Sequence, residues 1–351
     1  MIRMSSHLPA LRGGLLALLA AALFGVSTPL VQQFGAGLGA FSTAALLYGG
    51  AAAVGLLSRQ RIDREARVQR ADLSRLLAMA GFGAVVGPVA LAWGLQHTSG
   101  TSASLMLTLE ALFTAILAWR LYRETMDGRV WTAMALLLAG GMVLVLDQGR
   151  TGGAQLWGLL AVLLATAAWG VDNTLSRALA ERDPGQVVMA KALLGASATS
   201  LLAVLFGEPV PSLGAAFALF AIGATGYGLS LRFYLLAQRA FGAARTGSVF
   251  AFAPFIGAAF AVALGDRSAS GWMATGSVLM LAGVLLHLAE SHGHVHKHEV
   301  LEHEHAHRHD DGHHDHVHES VPAGEHSHRH RHEPMHHAHP HVPDAHHVHW
   351  H

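Results

Sequence analysis

The sequence predicts an all-α integral membrane protein with ten transmembrane helices, arranged as two inverted five-helix repeats and followed by a disordered C-terminal tail. Three observations lead to this prediction. Of the 351 residues, 52% are hydrophobic and 13% are charged, and the mean hydropathy of +0.37 is too high for a soluble globular protein. Apolar segments of membrane-spanning length recur along the chain. Short sequence motifs of the first half also recur about 143 positions later.

Ten apolar segments are long enough to span a bilayer, because a helix of about 20 residues crosses roughly 30 Å of hydrocarbon. They are Gly13–Val31, Leu38–Leu57, Leu76–Leu95, Thr101–Leu121, Val130–Leu146, Leu156–Leu175, Val187–Phe206, Leu213–Leu236, Thr246–Leu264 and Gly271–Leu288. The first could also be a signal peptide, since two arginines precede it. A transmembrane helix is favoured, because further spans follow at once.

The recurring motifs divide the spans into two sets of five. Phe24-Gly25 in the first span is matched by Trp169-Gly170 in the sixth, and the acidic residue Glu124 after the fourth span is matched by Asp266 after the ninth. The predicted repeats are residues 13–147 and 156–288. A second copy of an odd number of spans must enter the membrane from the opposite side, which predicts an inverted repeat.

The distribution of arginine predicts the orientation of these repeats. With residues 1–12 in the cytoplasm, two arginines fall on the outer side, Arg150 and Arg267. Sixteen fall on the inner side: Arg3, Arg12, Arg59, Arg61, Arg64, Arg67, Arg70, Arg75, Arg120, Arg123, Arg129, Arg177, Arg182, Arg232, Arg239 and Arg245. This positive-inside bias predicts a multi-pass protein of the cell (plasma or inner) membrane with both termini in the cytoplasm.

Charge and composition also argue against other classes of protein. Lysine plus arginine equals aspartate plus glutamate at 23 each, so no basic excess points to nucleic acid, and none is expected as a partner. Cysteine is absent, which excludes thiolate chemistry and disulfides. No nucleophile and base stand out together, so the sequence predicts no enzyme, no catalytic residue and no required cofactor.

Four polar residues inside spans are the candidate site for solute or coupling ion, because a charge at the bilayer centre is costly and is rarely kept without a role. Glu110 lies near the middle of the fourth span, Lys191 two turns into the seventh, and Asp172 and Asn173 late in the sixth. All are expected to face the bundle interior. Glu110 could carry a proton or cation and Lys191 could anchor an anion. Alternatively, Lys191 forms a structural ion pair with Asp172 or Glu110.

Two aromatic residues join this candidate set. Trp169 lies deep in the sixth span and Tyr227 lies within the eighth. Both could line a cavity. Trp93 and Tyr234, nearer to span ends, are more typical of interfacial anchors.

Residues 291–351 form a different kind of segment, with 24 of the 27 histidines and no apolar periodicity. We expect a disordered cytoplasmic tail that binds zinc, nickel or cobalt, since imidazole suits these metals. A pH-sensitive or merely polar tail is the alternative. The candidate ligands are His292, His294, His296, His298, His303, His305, His307, His309, His313, His314, His316 and His318.

From Leu11 to Leu288, the chain resembles the EamA-type members of the drug/metabolite transporter superfamily. The resemblance rests on ten spans in two inverted halves, the aromatic-Gly pair early in each half, and the acidic residue that closes each fourth helix. Asp266 departs from the usual glutamate. The resemblance implies a cavity between the halves, alternating access, and a small metabolite, amino acid or drug as cargo.

The leading hypothesis is therefore a secondary transporter of a small solute, with the bilayer as its environment and protons as a candidate coupling ion. The alternative is a transition-metal transporter, or a permease regulated by metal at the tail. The spans contain few metal ligands, with His97 and His287 at span ends. The sequence does not decide whether the protein forms a homodimer.

Overall fold

The fold is known from a computed structural model, which describes residues 8–58, 67–122, 126, 128–176, 179, 182–241, 243–268, 270–288, 293–297, 301–307, 326–332 and 336–340. Glu124 lies outside these residues.

All ten predicted spans are helical. In chain order they are Leu8–Gly35; Ala40–Leu57; Leu73–Met79 continuing through Ala80–Val86 and Gly87–Leu95; Gly100–Met106 continuing through Leu107–Leu109 and Glu110–Tyr122; Gly128–Thr151; Gly153–Ser176; Pro184–Leu205; Leu213–Ile222 continuing through Gly223–Leu229 and Ser230–Phe241; Ala243–Phe250 followed by Ala253–Ala263; and Gly271–Leu288. Within the described part of the chain, eight helices are long and apolar enough to cross a membrane, and the last two spans contain shorter apolar helices. The membrane-spanning part is therefore all-α, as predicted.

A π-helical stretch interrupts the same place in each half. Ala80–Val86 lies in the third span and Gly223–Leu229 in the eighth, 143 positions apart. A wider turn leaves backbone groups free for partners outside the helix, and such bulges are frequent at functional sites. In the third span, Pro88 follows within the continuous helix. The Gly87 N–H bonds the Phe82 carbonyl, so Pro88, which has no N–H, leaves the Gly83 carbonyl without the next helical hydrogen bond.

The two halves interlock with approximate twofold symmetry. The second span contacts the seventh and the fifth contacts the tenth, while the first-to-eighth contact has its counterpart in the third-to-sixth contact. Glycines permit the close approach that bundles in a bilayer require. A Cβ at Gly25 would lie 3.1 Å from the nitrogen of Gly257, and one at Gly170 would lie 2.6 Å from the Cβ of Phe113.

Polar contacts between the halves lie at both ends of the bundle. At one end, the Glu208 carboxylate accepts hydrogen bonds from the backbone N–H groups of Phe41 (3.0 Å) and Ser42 (2.7 Å), at the start of the second span. At the other end, the Arg182 Nε atom lies 2.9 Å from the Asp72 carboxylate. We call these two contacts, together with the contact between Asp266 and Thr101, the end contacts.

Asp266, between the ninth and tenth spans, binds the start of the fourth span. Its carboxylate accepts hydrogen bonds from the N–H (2.9 Å) and hydroxyl (2.8 Å) of Thr101, and from the N–H of Ser268 (2.9 Å). Partial burial would raise the pKa of Asp266, but the hydrogen bonds from Ser268 and Thr101 outweigh it and hold the pKa below its ordinary value. The charged carboxylate therefore stabilises the folded protein.

The Asp266→Asn variant should be less stable than the wild type at neutral pH, by about 1 kcal/mol, because hydrogen bonds to a charged acceptor contribute more than those to a neutral one. Because the pKa of Asp266 is depressed in the folded protein, the extra stability of the wild type is fully present above the unfolded pKa of about 3.9. It is lost as pH falls through the lower native pKa. Unfolding midpoints of both proteins in detergent, measured from pH 7 downward, test this. A difference that stays constant down to the most acidic pH would contradict it.

Described parts of the tail form two short antiparallel ladders. Strand β1 (Gly293–Lys297) pairs with β4 (His336–Pro340), and β2 (Leu301–His307) pairs with β3 (His326–His332). A ladder of two strands is marginally stable by itself in water.

Candidate functional site

A buried ion pair lies between the sixth and seventh spans. The Lys191 ammonium contacts the Asp172 Oδ2 atom, and the two residues are 6% and 4% exposed. Of the two structural pairings considered for Lys191, the structure contains the one with Asp172. The Oδ1 atom of Asp172 is buried and has no hydrogen-bond partner within the described residues. Such an atom is costly unless something binds it.

Glu110 lies in the fourth span next to the sixth. Asn173 donates a hydrogen bond from its Nδ2 atom to Glu110 Oε1, and both residues are partly buried. Glu110 begins the helical segment after a short 3₁₀ turn, Leu107–Leu109, that interrupts the span. Because Asn173 follows Asp172 in sequence, one turn of the sixth span holds both carboxylate contacts.

The π-helical stretch of the third span brings a backbone carbonyl into this cluster. The Gly83 carbonyl accepts a hydrogen bond from the Tyr48 hydroxyl and another from Trp169 Nε1, the second at 3.0 Å. A Cβ at Gly83 would lie 2.8 Å from the Cβ of Asp172. Gly83 thus allows the third span to approach the ion pair closely. We call Glu110, Asp172, Asn173, Lys191, Tyr48 and the Gly83 carbonyl the polar cluster.

Aromatic rings from both halves meet beside the polar cluster. Phe24 makes edge contacts with Trp169 (ring centroids 5.8 Å apart) and with Tyr227 (5.9 Å), and Tyr227 lies 5.7 Å from Tyr48. Phe250 lies 5.5 Å from Phe24. These rings give the region an apolar wall that can accept a flat or apolar part of a ligand.

The polar cluster occurs on one side of the repeat only. Gly83 approaches Asp172, and its counterpart Gly226, 143 positions later, approaches Ser27. Ser27 stands where Asp172 stands in the other half, so the symmetry-related position has no charge. Glu110 likewise corresponds to the apolar region around Ala253. The asymmetry indicates that the charges are not required simply to build a five-helix unit.

The structure brings all six predicted solute and coupling residues together. Glu110, Lys191, Asp172 and Asn173 form the polar contacts, and Trp169 and Tyr227 belong to the adjacent aromatic wall. Their roles stay predictions. Trp93 is 41% exposed, as suits an interfacial anchor.

Sequence reasoning missed Tyr48 and the Gly83 carbonyl. A tyrosine alone in the middle of a span was a usable signal, since its hydroxyl needs a partner there. Pro88 was a second usable signal, because it lacks the N–H that would continue the helical hydrogen bonding to the Gly83 carbonyl.

The predicted metal ligands of the tail fall into two groups. His294, His296, His303, His305 and His307 lie in strands β1 and β2. Outside the described residues lie His292, His298, His309, His313, His314, His316 and His318. Among the residues that the structure describes, no three His, Asp or Glu side chains are grouped to hold a metal ion.

Comparisons with known proteins agree with this architecture. The family model of the EamA-like transporter family matches residues 11–146 and again residues 156–289. An uncharacterized transporter of Methanothermobacter thermautotrophicus is 26% identical over 237 residues, which cover 64% of this chain and 67% of that protein. A solved crystal structure, described only as that of a protein, aligns with a TM-score of 0.54 at 21% identity, over 79% of this chain and 94% of its own. That last likeness concerns the fold alone.

Proposed function

Because this chain belongs to the EamA-like transporter family, we propose that it is a secondary active permease that moves a small metabolite or drug across the cell membrane by alternating access. The polar cluster is the proposed binding and coupling site. The single observation that carries this assignment is the buried Lys191–Asp172 pair, in which one carboxylate oxygen has no hydrogen-bond partner among the residues that the structure describes.

The chemistry of the cluster suits a small polar solute with an apolar part. The Asp172 Oδ1 atom can accept a hydrogen bond from a ligand, and the aromatic wall of Phe24, Trp169 and Tyr227 can cover an apolar group. A few fixed polar groups beside apolar surface are the usual composition of a small-molecule site.

The end contacts support alternating access. Glu208 and Asp266 join the halves at one end, and Arg182 with Asp72 joins them at the other. In the proposed cycle, one set opens while the other holds. The orientation predicted from arginine distribution places Glu208 and Asp266 on the outer side and both termini in the cytoplasm.

Glu110 is the proposed proton carrier. Its carboxyl group is partly buried inside the fourth span and contacts Asn173, a partner that can bind either protonation state because its amide both donates and accepts. A proton taken up there would neutralise the carboxylate next to the ion pair. Loss of this charge provides a direct link between proton binding and solute binding.

Transport by the reconstituted protein tests both parts of the proposal, the movement of a solute and its coupling to protons. Proteoliposomes with and without a proton gradient are screened against amino acids, other small metabolites and cationic drugs, with internal pH followed by a trapped dye. We expect at least one solute to move together with protons. Glu110→Gln, which cannot take up a proton, should lower gradient-driven transport by about tenfold or more, a change equivalent to about 1.4 kcal/mol.

Glu110→Asp is the matched control, because it keeps a titratable carboxyl group, and it should retain the response to the gradient. A Glu110→Gln protein that transports with an unchanged response to the gradient would remove Glu110 as the carrier. If no solute moves in any variant, the permease assignment itself loses support.

The metal-transport alternative gains no support from the spans. The described spans contain no group of three metal-ligating side chains, and His97 donates a hydrogen bond from Nδ1 to the Trp93 carbonyl (2.8 Å) near a span end.

A further inference from the structure

Three exposed arginines lie where the chain enters the third span. Arg67 precedes the 3₁₀ turn Arg70–Asp72, Arg70 begins that turn, and Arg75 lies in the helical segment Leu73–Met79. Among the residues that the structure describes, no hydrogen-bond acceptor or carboxylate pairs with any of these three guanidinium groups. We call Arg67, Arg70 and Arg75 the arginine patch.

The acidic residue of this segment, Asp72, does not neutralise the arginine patch. Asp72 is 3% exposed, and its Oδ2 atom accepts hydrogen bonds from the Gln69 N–H (2.8 Å) and from Arg182 Nε (2.9 Å). Its charge is therefore already matched by Arg182, a residue of the second half. The arginine patch keeps three positive charges at the surface.

Contacts on both sides of Arg70 hold the backbone of the arginine patch in place. Before it, the Val68 N–H donates a hydrogen bond to the Gln186 Oε1 atom of the seventh span (3.1 Å). After it, Asp72 contacts Arg182. A ligand that binds here loses less free energy to ordering of the chain, because the turn that carries Arg70 is already fixed.

Exposed apolar side chains continue from the arginine patch along the third span. Leu73 and Leu77 are 52% and 50% exposed, and they follow Arg70 at the spacing of three and then four residues that places side chains on one helix face. Phe82, farther along the span, is 43% exposed. In a protein that spans a bilayer, an exposed apolar helix face contacts lipid chains. Positive charge at the end of such a face matches both parts of an anionic phospholipid.

The second half shows that a span of this kind can begin without arginine. Leu213 is the counterpart of Arg70 at 143 positions and is 90% exposed, and Arg75 corresponds to Ala218. The eighth span begins there with Ser212 as its cap, whose side chain accepts a backbone hydrogen bond. The charges of the arginine patch are therefore not required to start the helix.

We propose that the arginine patch binds an anionic phospholipid, with the phosphate at Arg70 and Arg75 and an acyl chain along Leu73 and Leu77. The planar guanidinium group presents paired N–H donors that match phosphate oxygens. Clusters of basic residues next to a span attract anionic lipids, and the orientation predicted from the arginine distribution places this cluster at the cytoplasmic leaflet. This interaction requires a bilayer but does not depend on which solute is transported.

Lipid binding by the full-length protein in detergent tests the proposal. Dissociation constants are measured by native mass spectrometry for dioleoyl phosphatidylglycerol, which is anionic, and for dioleoyl phosphatidylcholine, which has the same acyl chains and no net charge. We expect phosphatidylglycerol to bind about tenfold or more tightly than phosphatidylcholine. Inorganic phosphate, added as a competitor at the same concentration as the lipid, should not displace phosphatidylglycerol, because it has no acyl chain.

Two pairs of substitutions separate a local site from general surface charge. Arg70→Gln with Arg75→Gln should weaken phosphatidylglycerol binding by about thirtyfold, at roughly fivefold for each arginine, and should leave phosphatidylcholine binding unchanged. Arg12→Gln with Arg120→Gln is the matched control, because it removes two other exposed arginines from the same predicted side. It should change phosphatidylglycerol binding by no more than about twofold, since distant surface charges are screened.

A lysine pair separates loss of charge from loss of structure. Arg70→Lys with Arg75→Lys keeps both charges and should keep the affinity for phosphatidylglycerol within about threefold of the wild type. Three results would contradict the proposal: equal losses from the two glutamine pairs, equal affinities for the two lipids, or displacement of phosphatidylglycerol by inorganic phosphate. A lysine pair that binds as weakly as Arg70→Gln with Arg75→Gln would also contradict it, because charge would then not be the cause.

Discussion

Lys191→Met is expected to lower the free energy of unfolding by about 3–5 kcal/mol, because it leaves the Asp172 carboxylate buried without its counter-ion. The Oδ1 atom of that carboxylate has no hydrogen-bond partner in the described part of the chain, so no neighbour is in place to take over the charge. Unfolding in mixed detergent micelles, followed by circular dichroism, measures the change. Asp172→Asn should destabilise for the converse reason, by leaving the ammonium group unpaired.

The double variant Asp172→Asn with Lys191→Met decides whether the two effects share one cause. Removing both charges removes the unpaired buried ion, so the double variant should regain more than half of the stability lost by either single variant. Losses that simply add would show that Lys191 and Asp172 act separately, contrary to the contact between them.

The same double variant separates the two roles considered for Lys191. A purely structural ion pair predicts that transport returns together with stability. A pair that binds solute predicts a stable protein that does not transport. The proposed function requires the second result. Transport by a stable, charge-free variant would move the binding site away from Asp172.

The pattern of spans was predictable from the sequence because a bilayer allows few backbone conformations. Every backbone polar group must be satisfied within the span, so apolar runs of sufficient length become helices. The pairing of Phe24-Gly25 with Trp169-Gly170 indicated the repeat, and in the structure each glycine lies at a close contact with a helix of the other half. Burial of Asp172 and Lys191 followed from the cost of exposing charge to lipid.

What sequence reasoning could not supply was the specific geometry at the third span. A single wider turn between Ala80 and Val86 redirects the Gly83 carbonyl toward Tyr48 and Trp169. Pro88 indicates that one helical hydrogen bond is missing there, but it does not separate a π-helical turn from a kinked α-helix, because both satisfy the same apolar pattern. The choice depends on partners from other spans, which a single sequence does not show.

Gly83→Ala is expected to have the second large effect, because the added methyl group has no room. It would lie 2.8 Å from the Cβ of Asp172, a part of the side chain that cannot rotate away. Overpacking of this kind costs about 1–3 kcal/mol, and a shifted carbonyl would also weaken its bonds from Tyr48 and Trp169. We expect a less stable protein with transport reduced by about tenfold or more, a change equivalent to about 1.4 kcal/mol.

Gly81→Ala is the matched control, since it makes the same substitution in the same π-helical stretch. A Cβ at Gly81 meets no atom within 4 Å. Stability should change by no more than about 0.5 kcal/mol, and transport should be kept. Equal effects at both positions would mean that alanine acts on the backbone of the stretch rather than on Asp172. A large effect at Gly83 together with little effect at Gly81 would show that the close approach of the third span places the buried carboxylate, and thereby the proposed site.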